Sequence, residues 1–373
     1  GAMGTTGDIL FSGGTLSIHV NNFGLDAARI NNQNNVNIEV GPDANSQGIN
    51  FALSGSSSFG GTISIASGST MALQPSSSMQ YAGNISGAGA LTITGSNATD
   101  RFAFGGQATH TGGTSVTNAV LQVGDGTGNT FNDHSGALAL DANSTLEINP
   151  GTSGTITSTI TSAGTIKNIS SQDVTLSNIS AHTGPTSVAS DGSITFDVAS
   201  GRTLNLSGSI TGGGQVVKTG TGQLELRGNN SFSGGLRLAA GNTKIYGSSP
   251  IPLAGTLQFG GSSVLFVEDV TTDYSGIMRF DSSSSYLRIH VPAGNSYTME
   301  SSITSQTGGI LSKRGDGKLI LGANFDFGGG AAIYGGDLVV GTGGTSGRLN
   351  LSNANFTFHN TGAKYIYNRS ADV

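Results

Sequence analysis

The sequence predicts an all-β fold, a right-handed parallel β-helix that forms an elongated solenoid, and three observations favour it. Short apolar runs alternate with polar residues at period two, one glycine-rich segment recurs in degraded copies, and corresponding strands follow one another about every 20 residues. Self-similarity on this scale is typical of repeat folds, in which each unit buries its apolar face only against its neighbours.

The predicted strands are short triplets in which two apolar residues flank a polar one. Such alternation, bounded by Gly, Asn and Ser, is typical of a strand with one buried face. No stretch shows a sustained helical period. The triplets include Leu91–Ile93, Leu146–Ile148, Leu204–Leu206, Leu224–Leu226, Leu257–Phe259, Leu287–Ile289 and Phe356–Phe358.

The recurring segment is best preserved from Gly208 to Gly235. A second copy runs from Ser302 to Gly330, and a shorter third copy starts at Ile85. We expect its glycine pairs to form corners, where the backbone needs a positive φ or a close approach. The phenylalanines that accompany these corners are expected to stack inside the coil: Phe59, Phe104, Phe232 and Phe327.

The interval between strands indicates the architecture. Leu204, Leu224 and Ile245 lie 20 and 21 residues apart, and Leu319 and Leu338 lie 19 apart. A repeat of this length with two or three strands fits one rung of a parallel β-helix, and the general crossover preference makes the coil right-handed. The alternative is a β-sandwich, which is less favoured because few Asn-Gly or Asp-Gly pairs stand between strands.

Composition excludes several classes of partner. The chain has 373 residues, a net charge of −6 and scattered cations. Binding of nucleic acid or of anionic lipid needs clustered Lys and Arg, so neither is predicted. No apolar run approaches the roughly 20 residues that cross a bilayer, so membrane insertion is not expected. The absence of cysteine excludes disulfides and thiolate metal sites.

The segment around Lys218 carries a family resemblance. Its matching residues are Gly214, Val216, Lys218, Gly220, Gly222, Leu224, Leu226, Gly228, Asn230, Phe232, Gly234 and Gly235. This pattern resembles the passenger-associated transport repeat of bacterial autotransporters, the type V secretion family. The copy near Lys313 departs from it by inserting Asp326, and the copy near Ile85 lacks the Lys-x-Gly part. The resemblance implies a β-helical passenger exported across the outer membrane, at the bacterial surface or secreted.

The resemblance also implies a domain organisation. Gly1–Met3 is typical of the scar of a cleaved expression tag, and residues 4–373 are expected to form a single β-helix passenger fragment. Residues 262–297 interrupt the strand spacing and are predicted to be a loop insertion. No translocator barrel is expected here, because nothing after Tyr365 shows its amphipathic strands of roughly ten residues.

No catalytic residue, metal site or cofactor is predicted. The Gly-Asp-Ser-Gly and Gly-Asp-Ser-Leu segments around the nucleophile of autotransporter proteases and esterases are missing, and the six histidines are isolated. One charged group is dense enough to suggest a glycan-degrading β-helix enzyme, although a charged surface loop is the favoured interpretation. It comprises Asp269, Asp273, Arg279, Asp281, Arg288 and His290.

Two places are predicted to bind partners. Arg314, Gly315 and Asp316 form the tripeptide that host integrins recognise, although they occupy the position of residues 219–221 in the better-preserved copy and are also explained as a corner. The predicted insertion mixes aromatic and charged residues, and irregular segments of a solenoid often carry binding groups. Its candidate binding residues are Tyr274, Arg279, Tyr286 and Arg288.

These observations predict a non-enzymatic adhesin for host cells, matrix or other bacteria. Its partners would be a host cell-surface receptor, a matrix protein or a glycan, with self-association between bacteria as a further mode. A repeated surface suits multivalent contact, in which weak patches add through effective concentration. The alternative is a released toxin or receptor-binding effector on the same scaffold, and a glycan-degrading enzyme is less favoured.

Overall fold

We describe the fold from a computed structural model. It describes the strand segments 9–11, 15–18, 23–26, 30–32, 37–40, 50–55 and 58–59, and residues 62–127, 136–247, 251–252, 254–280, 286–306, 309–351 and 355–370. The predicted tag scar at Gly1–Met3, the side chain of Phe59 and Asp281 lie outside the described residues. Two compact units, Gly1–Gly192 and Ser193–Val373, divide the chain.

Unit 1 consists of short strands. They are β1 Ile9–Phe11, β2 Thr15–Ile18, β3 Phe23–Asp26, β4 Ile30–Asn32, β5 Asn37–Val40, β6 Asn50–Gly55, β7 Ser58–Phe59, β8 Thr62–Ile65, β9 Thr70–Pro75, β10 Ser78–Tyr81, β11 Asn84–Gly87, β12 Ala90–Thr94, β13 Arg101–Phe104, β14 Thr114–Thr117, β15 Val120–Val123, β16 Leu138–Leu140, β17 Thr145–Ile148, β18 Gly154–Ile156, β19 Ile160–Ser162, β20 Thr165–Asn168, β21 Asp173–Leu176, β22 Ile179–His182 and β23 Thr186–Val188.

Unit 2 continues in the same style. Its strands are β24 Ser193–Asp197, β25 Thr203–Leu206, β26 Ile210–Gly212, β27 Gln215–Thr219, β28 Gln223–Leu226, β29 Leu236–Leu238, β30 Asn242–Tyr246, β31 Leu257–Phe259, β32 Val264–Glu268, β33 Met278–Phe280, β34 Tyr286–His290, β35 Ser296–Met299, β36 Ile303–Gln306, β37 Ile310–Arg314, β38 Lys318–Leu321, β39 Asn324–Phe327, β40 Gly330–Ile333, β41 Asp337–Val340, β42 Arg348–Asn350, β43 Phe356–Phe358 and β44 Lys364–Tyr367. Among its described residues a 3-10 turn lies at Ser275–Ile277.

The strands stack coil upon coil in parallel sheets. In unit 1 the longest sheet has the order β3-β6-β9-β12-β14-β16-β19-β22, and in unit 2 the order is β25-β28-β30-β32-β34-β37-β40-β43. Non-consecutive strands are therefore neighbours, as in a chain that returns to the same sheet once per coil. The prediction of an all-β parallel solenoid is confirmed, and the antiparallel hairpins of a sandwich do not occur between these strands.

The core is a set of ladders inside the coil. Leu204 and Leu206 of β25 are buried and stand in register with Leu224 and Leu226 of β28. Burial of each such side chain stabilises the fold by about 1.5–3 kcal/mol. Aromatic residues also pack inside, and Phe104 and Phe327 stack on neighbouring rings as expected. The corner phenylalanines with described side chains, Phe104, Phe232 and Phe327, are each at most 1% exposed.

Glycine forms the corner that follows each buried lysine of the repeat. Gly220 and Gly315 have φ values of +69° and +73°. A Cβ on either would lie 2.3 Å from a carbonyl oxygen of the preceding coil, that of Val198 or Val291. A real Cβ cannot approach so closely, so both the positive φ and the tight stacking of coils require glycine here.

The described residues of segment 262–297 form strands of the solenoid, whereas the sequence predicted a loop insertion. Its described residues contribute β32 to β35 to the parallel sheets, and β32 pairs with both β30 and β34. The corner between β32 and β33 holds the 3-10 turn, and the strands keep the register of the ladder. The segment is therefore part of the solenoid wall. Among the described residues, no helix has the length and apolarity to span a membrane.

Candidate binding surface

Aromatic and cationic side chains line the outer face of one sheet in unit 2. In β34 the half-buried Tyr286, Arg288 and His290 alternate with the buried Leu287 and Ile289, so the period of the strand places all three on the outside. Neighbouring strands continue the pattern in register. We define the outer ladder as Phe266, Tyr286, Arg288, His290, Arg314, Tyr334 and His359.

The first contact in the outer ladder joins two rings. Phe266 of β32 is the register partner of His290 in β34, and their ring centroids are 4.3 Å apart at an interplanar angle of 28°. His290 is in turn the partner of Arg314 in β37. Burial, with Lys313 nearby, lowers the pKa of His290 and thereby favours the neutral imidazole.

The ladder continues through Arg314 and Tyr334. The Arg314 guanidinium carbon lies 4.7 Å from the centroid of the Tyr334 ring. His359 stacks on the same ring with a centroid distance of 4.1 Å and an angle of 2°. Since Tyr334 follows β40, between β37 and β43, its ring is held between a guanidinium and an imidazole.

Arg288 forms a second cation–ring pair beside this stack. Its guanidinium carbon lies 4.0 Å from the centroid of Tyr286, and its Nη1 donates a hydrogen bond of 2.7 Å to the carbonyl oxygen of Gly261. Burial lowers the pKa of Arg288, and the nearby positive charge of Arg314 lowers it further. The two guanidinium groups are therefore close enough to repel each other.

Neither arginine of the outer ladder forms an ion pair with a carboxylate in the part of the chain that the structure describes. Cations earlier on the same face do: Arg227 donates from Nε and Nη2 to Glu225 at 3.0 and 2.9 Å, and Lys244 pairs with Glu268 at 2.7 Å. Among the described residues, the cations of this face are thus paired with carboxylates at β28–β32 and unpaired at β34–β37.

Five predicted binding residues lie at or next to the outer ladder. Arg314, Tyr286 and Arg288 belong to it, and Gly315 forms the corner after Arg314. A Cβ on Gly315 would lie 2.8 Å from Nε2 of His290, so this corner packs against the ladder. Asp316 is exposed beside it.

The structure separates the other two predicted binding residues from the ladder. Tyr274 is 1% exposed, and its hydroxyl accepts a hydrogen bond from the backbone N–H of Ile251 at 3.1 Å. It is an interior residue. Arg279 is exposed on β33, in another sheet, where its Nη1 donates to the carbonyl oxygens of Gly276 and Met278.

Two described members of the charged group that suggested an enzyme have structural roles. Asp273 accepts hydrogen bonds from the backbone N–H and hydroxyl of Ser275 and from the hydroxyl of Ser301, so it organises a turn. Asp269 stands at a corner with a φ of +52°. Among the described residues no three His, Asp or Glu side chains gather into a metal-binding group.

The repeat lysines are buried residues that the sequence did not predict to have a role. Lys218 and Lys313 are fully buried, although lysine is almost never buried without partners. Burial lowers the pKa of each to about 8, against the opposing charges of Asp197 for Lys218 and of Asp316 and Asp337 for Lys313. The signal that points to them is their recurrence at one position of a repeat whose neighbours are apolar or glycine.

Comparisons with known proteins agree with the fold and the repeat. The family model of the passenger-associated transport repeat matches residues 216–243 and 311–340. The "Adhesin BmaC autotransporter" of Brucella suis biovar 1 (strain 1330) is 29% identical over 173 residues, which are 46% of this chain and 4% of that protein. No solved structure matches the chain. With the parallel solenoid, these matches identify the chain as an autotransporter passenger that carries passenger-associated transport repeats and is displayed at the cell surface or secreted.

Proposed function

We propose that this passenger is a non-enzymatic adhesin and that the outer ladder is its contact surface. The similarity to a protein named as an autotransporter adhesin supports the general role, although the matched region is a small share of that protein. The observation that carries the assignment to the ladder is the unbalanced pair Arg288 and Arg314, held against Tyr286 and Tyr334 on an outward face.

Stacking prepares these groups for binding. A guanidinium that lies on a ring loses little further side-chain freedom when a partner arrives, and aromatic and arginine residues dominate binding energy at many interfaces. The parallel ladder repeats such groups at a strand spacing of about 4.8 Å, so a partner with repeated features meets several contacts at once. The partners that fit are a host cell-surface receptor, a matrix protein, a glycan or the surface of another bacterium.

Attachment of the purified chain tests this role. Binding of labelled protein to cultured host cells and to matrix-coated plates would be measured for the natural sequence and for the double variant Arg288→Gln/Arg314→Gln. We expect the double variant to lose most attachment. Arg227→Gln is the matched control, because Arg227 lies on the same face against Tyr246 at 3.8 Å but is neutralised by Glu225.

Three outcomes would contradict the proposal. The adhesin role fails if the natural chain attaches to no surface and does not cause bacteria that display it to aggregate. The ladder assignment fails if the double variant attaches as well as the Arg227→Gln control. Release of sugar products from a panel of polysaccharides would contradict the non-enzymatic role. A separate variant, Asp316→Glu, tests the integrin tripeptide, since loss of attachment from this change alone would assign recognition to the corner.

A further inference from the structure

We propose that the ligand of the outer ladder is an acidic polysaccharide, whose sulfate or carboxylate groups are bound by Arg288 and Arg314. This inference rests on the proposed attachment function and specifies its chemistry. It follows from three properties of the two arginines: the lack of a carboxylate partner among the described side chains, the edges that their stacking leaves exposed, and their separation along the sheet.

The first property is that neither arginine has a carboxylate partner among the described side chains. Arg288 and Arg314 are half-buried, lie close to each other and have no carboxylate partner among the described side chains, whereas Arg227 and Lys244 on the same face each have one. Two like charges on a partly desolvated surface repel each other. An anion placed between or above them removes that repulsion and supplies charge-assisted hydrogen bonds.

The guanidinium planes of both arginines are oriented by stacking. Each plane packs on a tyrosine ring, Arg288 on Tyr286 and Arg314 on Tyr334. Such stacking uses the face of the group and leaves its N–H edge to donate. One Arg288 donor is bound to Gly261, and Nε of Arg314 is 3.4 Å from the Ser312 hydroxyl. The remaining donors form the fork that matches the paired oxygens of sulfate or carboxylate.

The distance between the two arginines favours a polymer over a single anion. Arg288 pairs in register with Ser312, two residues before Arg314, so the two cations stand on adjacent strands and are offset by two residues. Side chains in this diagonal relation are roughly 7–8 Å apart at the backbone. A chain of sugars with regularly placed acidic groups reaches both cations at once, and the second contact then forms at high effective concentration.

Nucleic acid is the competing anionic polymer, and the ladder suits it less well. Sequence-tolerant binding of single strands uses open aromatic faces on which bases stack. Here the ring of Tyr334 already lies between Arg314 and His359, and the ring of Phe266 stacks on His290.

The test is direct binding of defined polymers to the immobilised chain. The probes are heparin for sulfate, polygalacturonate for carboxylate, dextran as a neutral glycan, and a single-stranded oligonucleotide. We expect binding of heparin or polygalacturonate, no binding of dextran, and weaker binding as salt rises. Arg288→Gln and Arg314→Gln should each weaken binding about tenfold or more, as expected for loss of a charge-assisted hydrogen bond. Arg227→Gln should bind as the natural chain does.

Folding and specificity are controlled separately. The same thermal unfolding curve for all variants shows that lost binding is local, and Arg314→Lys should restore only part of the affinity because lysine keeps the charge without the fork. The inference is overturned if neither acidic polysaccharide binds, if the oligonucleotide binds more tightly than both, or if Arg227→Gln weakens binding as much as Arg288→Gln. Cell attachment that heparin and polygalacturonate do not inhibit would reject this ligand class and leave the attachment function standing.

Discussion

Lys218 and Lys313 occupy the same position in two repeats and make the same contacts. The Lys218 ammonium donates to the carbonyl oxygens of Thr219, Gly220 and Ala240, and that of Lys313 donates to those of Arg314, Gly315 and Gly335. In each case two acceptors belong to the corner directly after the lysine and the third belongs to the next coil. Each buried ammonium therefore links the corner that follows it to the next coil through hydrogen bonds.

Replacement of either lysine by methionine should destabilise its coil. Lys313→Met keeps much of the aliphatic stem but leaves three carbonyl groups without this donor. An unsatisfied buried acceptor costs about 1–3 kcal/mol, partly offset here because no charge is buried, so we expect a loss of roughly 2–4 kcal/mol. Urea unfolding followed by circular dichroism measures this loss, and native-state hydrogen exchange shows whether it is confined to neighbouring coils, as expected for a repeat fold.

The control for the buried lysines is a lysine on the surface. Lys244→Met removes a partly exposed ion pair with Glu268 and a contact of the ammonium with the Tyr246 ring at 5.3 Å, for which together about 1 kcal/mol is expected. Equal destabilisation by Lys244→Met and Lys313→Met would show that the carbonyl contacts of Lys313 contribute nothing specific.

The corner glycines should tolerate no side chain. Gly315→Ala combines a φ of +73° with a Cβ that would lie 2.3 Å from the carbonyl oxygen of Val291, so the two coils must move apart. We expect a loss of at least about 2 kcal/mol in thermal or urea unfolding. Gly294 is the matched control, since its φ is +83° but a Cβ there meets nothing within 4 Å.

For Gly294→Ala we expect only the backbone cost of about 1 kcal/mol. The difference between the two alanine variants isolates the close approach of the coils from the positive φ. If Gly294→Ala proves as damaging as Gly315→Ala, close stacking at the corner is not what requires glycine.

The structural features that the sequence predicts are the strands and their buried faces, because these depend on local pattern. Alternation such as Leu204-Asn-Leu206 predicts a strand with one buried face because the period of the strand alone decides which side chains point inward. The outer ladder is not local in this sense. Phe266 and His290 are 24 residues apart and meet only through the register of β32 and β34. The buried state of Lys218 likewise depends on an acceptor from the next coil, Ala240, so composition alone suggests a surface residue.

Tyr274 shows how segment composition misleads. Its neighbours Asp273 and Thr272 are polar, which suggested an exposed loop, but the ring fills the coil and its hydroxyl accepts from the N–H of Ile251. Tyr297 repeats the arrangement, because its hydroxyl accepts from the N–H of Tyr274 at 3.1 Å. Tyr274→Phe leaves the buried N–H of Ile251 without its partner, so we expect a loss of about 1–2 kcal/mol in the free energy of unfolding with no change in attachment.

Unfolding and attachment assays on the same preparations check this prediction. Tyr286→Phe is the comparison, because the Tyr286 ring lies on the outer ladder and its hydroxyl has no hydrogen bond among the described contacts, so stability should be unchanged. Loss of attachment in Tyr274→Phe without a change in stability would restore Tyr274 as a binding residue.

Acid should weaken unit 1 through His182. This ring is 1% exposed, its Nε2 lies 2.9 Å from the hydroxyl oxygen of Thr186, and burial lowers its pKa to about 4. The unfolded chain binds this proton with a pKa of about 6.5, so between pH 6.5 and 4 the unfolded state holds more protons and the free energy of unfolding falls as pH falls. The contribution of His182 is complete above about pH 6.5, and about 3 kcal/mol is lost by pH 4. His182→Gln should flatten the pH dependence of urea unfolding over this interval. An unchanged slope in His182→Gln would show that protonation of His182 does not limit stability in acid.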